Sequence, residues 1–264
     1  LYMVPYDFTP ISQKALEYAL HLGKHVHTEI KLIHLAKDRK SGMIMKDKLD
    51  EVKASTKTPP GVELTALTRV GNIFTDIGKI ANEEKAQLII MGTHGKFGMQ
   101  LLFGSFAMKV IISAECPFLI VQKNTQIVDI KQIAVPIDLT KESLQIVNIA
   151  GDVAIMFKAA VSVLAEKQTD QILNTRLKNR LSIVTKKYEE REIKSKVDIL
   201  KKPGAYRKKV MNFAKNNNVD LIAIAYHTES LFPQFDKFAQ GLITNKRGLP
   251  VLVVNSKLAS ALYF

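Results

Sequence analysis

The stretch Val4-Pro5-Tyr6-Asp7-Phe8-Thr9-Pro10-Ile11-Ser12 returns as Val135-Pro136-Ile137-Asp138-Leu139-Thr140-Lys141-Glu142-Ser143, so Val, Pro, Asp, Thr and Ser each recur 131 positions later. Downstream, Gly71, Ala81, Leu88, Ile89, His94 and Pro117 meet Gly204, Ala214, Leu221, Ile222, His227 and Pro250 at an offset of 133. Self-similarity at a fixed, domain-sized period marks a duplicated unit. A chain of 264 residues divides into two domains of ordinary size. The polar stretch 123–129 is the expected join, giving domains over 1–127 and 128–264.

Working outward, short apolar runs alternate with stretches of helical period. In the first copy the strand candidates are residues 1–5, 29–35, 62–70, 88–92 and 118–122. Between them, 12–24 places Ala15, Tyr18, Ala19 and Leu22 on one face, and 72–84 does the same with Ile73, Ile77, Ile80 and Ala81. The second copy repeats the order with strands at 133–136, 160–164, 196–201, 221–225 and 251–254, and helices near 142–153, 168–191 and 206–216. Strands that alternate with helices predict right-handed crossovers and a mostly parallel sheet covered on both faces. Runs such as Leu88-Ile89-Ile90-Met91 and Phe118-Leu119-Ile120-Val121 suit strands buried on both sides.

Composition narrows the function classes. Apolar residues make up 47% and charged residues 24%, far from the signature of disorder. No apolar run reaches the ~18 residues of a membrane span, and nothing in the first residues suggests a secretory leader. Leu1 opens directly on the first apolar run, which implies that a few residues precede it in the native chain. The lone cysteine, Cys116, excludes a disulfide framework, and the expected compartment is the reducing cytoplasm. Net charge is +13 and unevenly shared, +3 in residues 1–130 (16 basic against 13 acidic) and +10 beyond (22 against 12). Much of the excess lies in 176–202, where Leu173, Leu177, Leu181, Val184 and Tyr188 recur at helical spacing and Glu190 with Lys194 forms an i,i+4 pair. We read this as a solvated helix face. Aromatic residues are not interleaved with the charges, so neither nucleic acid nor membrane is an expected partner.

In an open parallel sheet, ligands bind beyond the carboxyl ends of the strands. The first copy places Asp7, Leu35, Gly71 and Gly92 there, and after Gly92 come Gly95, Gly98, Gly104 and Ser105 before a helix over 106–112. Glycines let backbone N–H groups approach a phosphate, and the helix start adds partial positive charge. The second copy reads Ala225, Thr228 and Lys237 where those glycines stand, and added Cβ atoms close such a turn. Two plainer readings stay open: the glycines serve only a tight turn, and Asp7 caps the following helix. Neither a Walker nor a dinucleotide fingerprint is present. The histidines lack metal-ligand spacing, so no metal site is expected. His94 and His227 occur in both copies and are expected to be structural.

The motifs Val4-Pro5-Tyr6-Asp7-Phe8-Thr9, Leu32-Ile33-His34-Leu35, Ile90-Met91-Gly92-Thr93-His94-Gly95, Gly104-Ser105 and Cys116-Pro117-Phe118-Leu119-Ile120-Val121, in that order, resemble the universal stress protein family. The resemblance implies two tandem α/β Rossmann-like domains, each a five-stranded parallel sheet in the order 3-2-1-4-5. It implies an adenine nucleotide, ATP or AMP, with Mg2+ accompanying ATP. Pro5 and Asp7 would flank the adenosine, Leu35 would meet the base through its backbone, and Met91 would lie beneath the nucleoside. Gly92, Gly95, Gly104, Ser105 and Phe106 would surround ribose and phosphates. The family pattern is Gly-x2-Gly-x9-Gly-[Ser/Thr], whereas only eight residues, 96–103, stand between Gly95 and Gly104. Family dimers often pair through the last strand, here 118–122 with 251–255, which implies an intramolecular pseudo-dimer and allows a homodimer.

The expected function is therefore that of a cytoplasmic stress-response protein, nucleotide-bound in its N-terminal domain and regulatory. No catalytic residue is assigned, because the loop offers only His94 as a base and no evident orienting carboxylate. A nucleotide-independent scaffold and a slow ATP hydrolase are the alternatives.

Overall fold

The computed structural model describes residues 1–93, 104–140, 142–226 and 237–255, with the side chains of 104–106 and 142 outside that description. The chain divides into two compact units, Leu1–Ile127 with Ile243–Gly248, and Val128–Leu242 with Leu249–Phe264.

In the first unit, strands β1 (Tyr2–Pro5), β2 (Thr28–Ala36), β3 (Val62–Val70), β4 (Leu88–Gly92) and β5 (Phe118–Val121) alternate with helices α1 (Pro10–Gly23), α2 (Arg39–Ser55), α3 (Ile73–Glu83) and α4 (Gly104–Ser113). The strands lie in the order β3-β2-β1-β4-β5 and run parallel. The chain leaves β1 toward β2 on one side and places β4 on the other, so the sheet reverses direction of growth beside β1. That is where an open α/β sheet leaves a crevice. Residues Leu119, Ile120 and Val121 of β5 pair Ile90, Met91 and Gly92 of β4, and all six are buried. Continuous apolar runs of this kind are what a doubly covered central strand requires.

The helices form for local reasons. Thr9 caps α1, Pro10 stands at its start, and Ile11, Ala15, Leu16, Tyr18, Ala19 and Leu22 form the buried stripe. Asn72 caps α3 by accepting from the Phe74 amide at 2.8 Å. Helix α2 is different: only Gly42 and Leu49 are buried, and an Asp38–Ser41 capping box fixes its start.

The second unit repeats the plan. Strands β6 (Gln132–Ile137), β7 (Ala160–Glu166), β8 (Ser195–Leu200), β9 (Leu221–Tyr226) and β10 (Val251–Asn255) alternate with α5 (Gln145–Phe157), α6 (Gln171–Glu190), α7 (Tyr206–Asn216) and α8 (Lys237–Ile243). Their order, β8-β7-β6-β9-β10, is again 3-2-1-4-5 with parallel pairs. The tandem α/β architecture expected from the repeat is thus the observed one.

Helix α6 buries Leu177, Leu181, Val184 and Tyr188, while Leu173 is 36% exposed at its first turn. The expected Glu190–Lys194 pair does not form as a helical pair, because α6 ends at Glu190 and Arg191 is its C-cap. Glu190 instead approaches Lys186 at 3.8 Å, an exposed pair of little energetic weight. Arg191 bonds the Asn148 carbonyl at 3.0 Å and the Asp152 carboxylate at 2.6 Å, tying the end of α6 to α5.

Tyr188 is fully buried and its hydroxyl has no hydrogen-bond partner. Burial also pushes its ionisation well above the usual phenol range. A buried hydroxyl without a partner costs about 1–3 kcal/mol. Tyr188→Phe is therefore expected to leave stability unchanged or raise it by up to about 1 kcal/mol in urea unfolding; a loss above that size would reveal an unseen partner. Cys116 is half-buried, and burial pushes its thiol up to about 12, so it stays protonated and unreactive at neutral pH. Among the described residues, no helix is long and apolar enough to cross a membrane.

Candidate functional site

The β1–α1 turn is built by the residues that recur. Asp7 Oδ1 accepts from the Thr9 amide at 3.1 Å and from the Thr9 hydroxyl at 2.6 Å. Thr9 Oγ in turn accepts from the Ser12 amide at 3.3 Å, and the Ser12 hydroxyl donates to the Thr9 carbonyl at 3.0 Å. The helix cap is therefore Thr9, and Asp7, read as a possible cap from sequence, orients the cap from one step back. The second copy repeats the device: Asp138 Oδ1 accepts from the Thr140 amide at 2.8 Å and hydroxyl at 2.5 Å, and Ser143 donates to the Thr140 carbonyl at 3.0 Å. Asp, Thr and Ser recur because they make this turn, whatever else Asp7 touches.

Asp7 is exposed beyond a buried Pro5, and Phe8 follows in the left-handed region at φ 63. That conformation costs a non-glycine residue about 1–2 kcal/mol. It is held by ring packing: Phe8 meets Tyr6 edge-on at 5.4 Å and His34 at 5.2 Å. His34 Nδ1 bonds the Tyr6 carbonyl at 2.8 Å, joining the ends of β1 and β2. Tyr6 donates to Gln13 Oε1 at 2.6 Å, and burial, aided by the Asp7 and Glu17 carboxylates, raises its phenol above the usual range.

The Tyr6 amide bonds the Ile33 carbonyl at 2.8 Å, so the main chain of Ile33 faces β1. Leu35, two residues on, faces the same side by strand alternation, past the point where the β1 register ends at Ile33. Its backbone is thus placed for a ligand lying over the end of β1.

Met91 is buried within β4 at 2% exposure, and Gly92 closes the strand. A Cβ on Gly92 would overlap Ile11 Cγ2 and stand 2.8 Å from the Ile11 carbonyl oxygen. The missing side chain at Gly92 therefore serves the packing of α1 on β4 as well as any opening toward a ligand. Gly95 lies outside the described residues, as do His94, Gly98, His227 and Thr228. Helix α4 opens at Gly104, so Ser105 and Phe106 stand inside its first turn. The helix expected over 106–112 begins two residues earlier, and the first-turn amides of a helix are its unsatisfied donors. The corresponding helix of the second unit, α8, opens at Lys237, at the 133 offset from Gly104, and Ala225 holds the place of Gly92.

The second unit has further features at its strand ends. Arg180 of α6 donates to the Asp138 carbonyl at 3.0 Å and also to the Thr140 carbonyl. Tyr206, at the start of α7, donates its hydroxyl to the Leu164 carbonyl at 2.8 Å and the Ile137 carbonyl at 3.2 Å, and its ring stacks on Phe238 at 5.3 Å. Beside it is a cavity of about 280 Å³. None of these side chains was singled out from sequence, since the hydrogen bonds run between residues 40 or more positions apart.

Residues 2–122 match the model of the universal stress protein family. The N-terminal unit is thus similar to the universal stress protein family. A universal stress protein of Methanocaldococcus jannaschii is 28% identical over 137 residues, which cover 46% of this chain and 81% of that one. A crystal structure of a universal stress protein from Archaeoglobus fulgidus superposes with a TM-score of 0.75 at 17% identity, over 97% of this chain and 98% of that one, which shows a shared fold. A universal stress protein from Archaeoglobus fulgidus in complex with dAMP matches 48% of this chain and 100% of its own at 16% identity and a TM-score of 0.41.

Proposed function

We propose that the N-terminal unit binds an adenine nucleotide, AMP or ATP, at the carboxyl edge of its sheet, and that the chain is a cytoplasmic stress-response regulator. The observation that carries this reading is the contrast between two equivalent helix starts. Helix α4 opens on Gly104-Ser105, where main-chain amides stand clear of a Cβ, and α8 opens on Lys237. An anion at a helix start is stabilised by those amides and by the helix dipole. Leu35 supplies main chain for the base, Pro5 and Asp7 border the nucleoside, and Met91 with Gly92 forms the floor. Gly95, Gly104, Ser105 and Phe106 complete the ribose and phosphate side, with Mg2+ entering alongside ATP. The second unit, lacking the glycines, takes no nucleotide and acts as a structural partner. The role is regulatory, with occupancy changing the surface around the loop.

Native mass spectrometry of the full chain tests this, with AMP or with ATP and Mg2+ present. One nucleotide per chain is expected, together with stabilisation of about 2.7 kcal/mol at one hundred times Kd. Gly104→Val is expected to abolish the bound mass while keeping the fold. A chain that neither retains nucleotide nor gains stability would instead be a nucleotide-independent scaffold.

A further inference from the structure

The cavity of the second unit lies where the second copy carries aliphatic side chains in place of three rings. Its wall residues Ile137 and Leu139 correspond, at the 131 offset, to Tyr6 and Phe8, and Ala165, the register partner of Ile137, corresponds to His34. In the first unit the three rings pack together, Phe8 lying 5.4 Å from Tyr6 and 5.2 Å from His34. In the second, about 280 Å³ is left open. An apolar cavity of about 150 Å³ accepts benzene, and pockets for drug-sized ligands begin at about 300 Å³. The volume here suits one ring or two fused rings.

The walls are mostly hydrocarbon. Ile137, Leu139 and Leu177 supply aliphatic surface, Leu177 from the buried stripe of α6. Tyr206 adds a ring that the first copy lacks, since Ile73 stands at the equivalent place at the 133 offset. That ring is held on two sides: its hydroxyl reaches the carbonyls of Leu164 at 2.8 Å and Ile137 at 3.2 Å, and it stacks on Phe238 at 5.3 Å. A side chain already held gives up little freedom when a ligand settles against it. Asp138, Thr140, Glu166 and Gln168 border the cavity as well, and with the Lys209 and Arg180 heads beside them they present donors and acceptors together. Such a mixture builds no place for one sign of charge, and a charge leaving water without a dedicated counter-group is penalised. Shape and apolar contact therefore decide the occupant.

We propose that this cavity is a second ligand site, distinct from the nucleotide site, that takes an uncharged aromatic molecule of one or two fused rings, the class of indole. The ligand stands in for the rings that Phe8 and His34 supply in the first copy, and packs against Leu139, Leu177 and Tyr206. Aromatic pairs gain beyond the area they bury, so Tyr206 favours a flat ring over an aliphatic one. The site is independent of nucleotide binding in the first unit, so the two readings stand or fall separately.

Indole itself is the probe: the chain has no tryptophan, so indole emission excited beyond the tyrosine band reports the ligand alone. Titrating the full chain into indole is expected to give a saturable blue shift at one site per chain, at millimolar concentration or below, unchanged by saturating AMP. Leu139→Phe and Tyr206→Ile each return the residue of the first copy. The first is expected to weaken indole by about tenfold or more by filling the cavity, and the second by about three- to tenfold by removing the ring wall. Circular dichroism shows whether each variant is folded. The proposal is overturned if indole does not bind, if AMP displaces it, if benzamidine or benzoate binds where indole does not, or if the affinity is unchanged in either folded variant.

Discussion

Gly78→Ala is expected to destabilise the N-terminal unit by about 3 kcal/mol, the upper end of the cost of overpacking a rigid contact. The sign makes this informative. In an isolated helix the same change stabilises by about 1 kcal/mol, because alanine is the better helix former. Here Gly78 is buried on α3 where the end of α4 crosses it. A Cβ would fall inside van der Waals contact of the Ser113 carbonyl and 2.9 Å from the Ala114 amide nitrogen. Those neighbours are backbone and cannot rotate away, so relief requires α3 and α4 to separate. Since α4 carries the glycine start of the proposed site, nucleotide affinity should fall together with stability. Urea unfolding followed by circular dichroism reads the effect as a lower midpoint at unchanged slope. A midpoint equal to or above that of the parent chain would show that the helices do not approach as closely as described.

Gly92→Ala is the second large effect, at about 2 kcal/mol. Its Cβ would strike Ile11, at the Cγ2 methyl and at the carbonyl oxygen 2.8 Å away. The first neighbour can be removed and the second cannot. In a double-mutant cycle, Gly92→Ala with Ile11→Ala should therefore be less destabilised than the sum of the two single variants by about 1 kcal/mol. Strict additivity would mean that Gly92 is not held by α1. A Gly92 variant that loses nucleotide thus says little about the phosphates, and Gly104→Val is the cleaner probe.

Much of the architecture was legible because the signals are local. Runs such as Leu88-Ile89-Ile90-Met91 are strands for the same reason they read as strands: both faces are covered, so every residue is apolar. Helices α1 and α3 announce themselves by a buried stripe with a cap before it. Helix α2 gives almost no stripe, since only Gly42 and Leu49 face the sheet, and it did not stand out. The end of α6 at Glu190 depends on where Arg191 reaches across to α5, which explains the misassigned Glu190–Lys194 pair. The Asp-Thr-Ser recurrence was visible while its meaning was not, because its hydrogen bonds serve a turn in both copies. The constraint on Gly92 comes from a helix some 80 positions earlier in the chain, the kind of tertiary approach no local pattern records. The second-unit cavity likewise depends on Tyr206 arriving from the start of α7, distant in sequence.

The central claim is that an adenine nucleotide rests at the start of α4 and that the equivalent start of α8 stays empty. Hydrogen exchange of the full chain with and without saturating AMP measures this directly, amide by amide. The account predicts slowed exchange at residues 104–107 with no change at 237–240. Unchanged exchange at 104–107, or protection at 237–240, would contradict it.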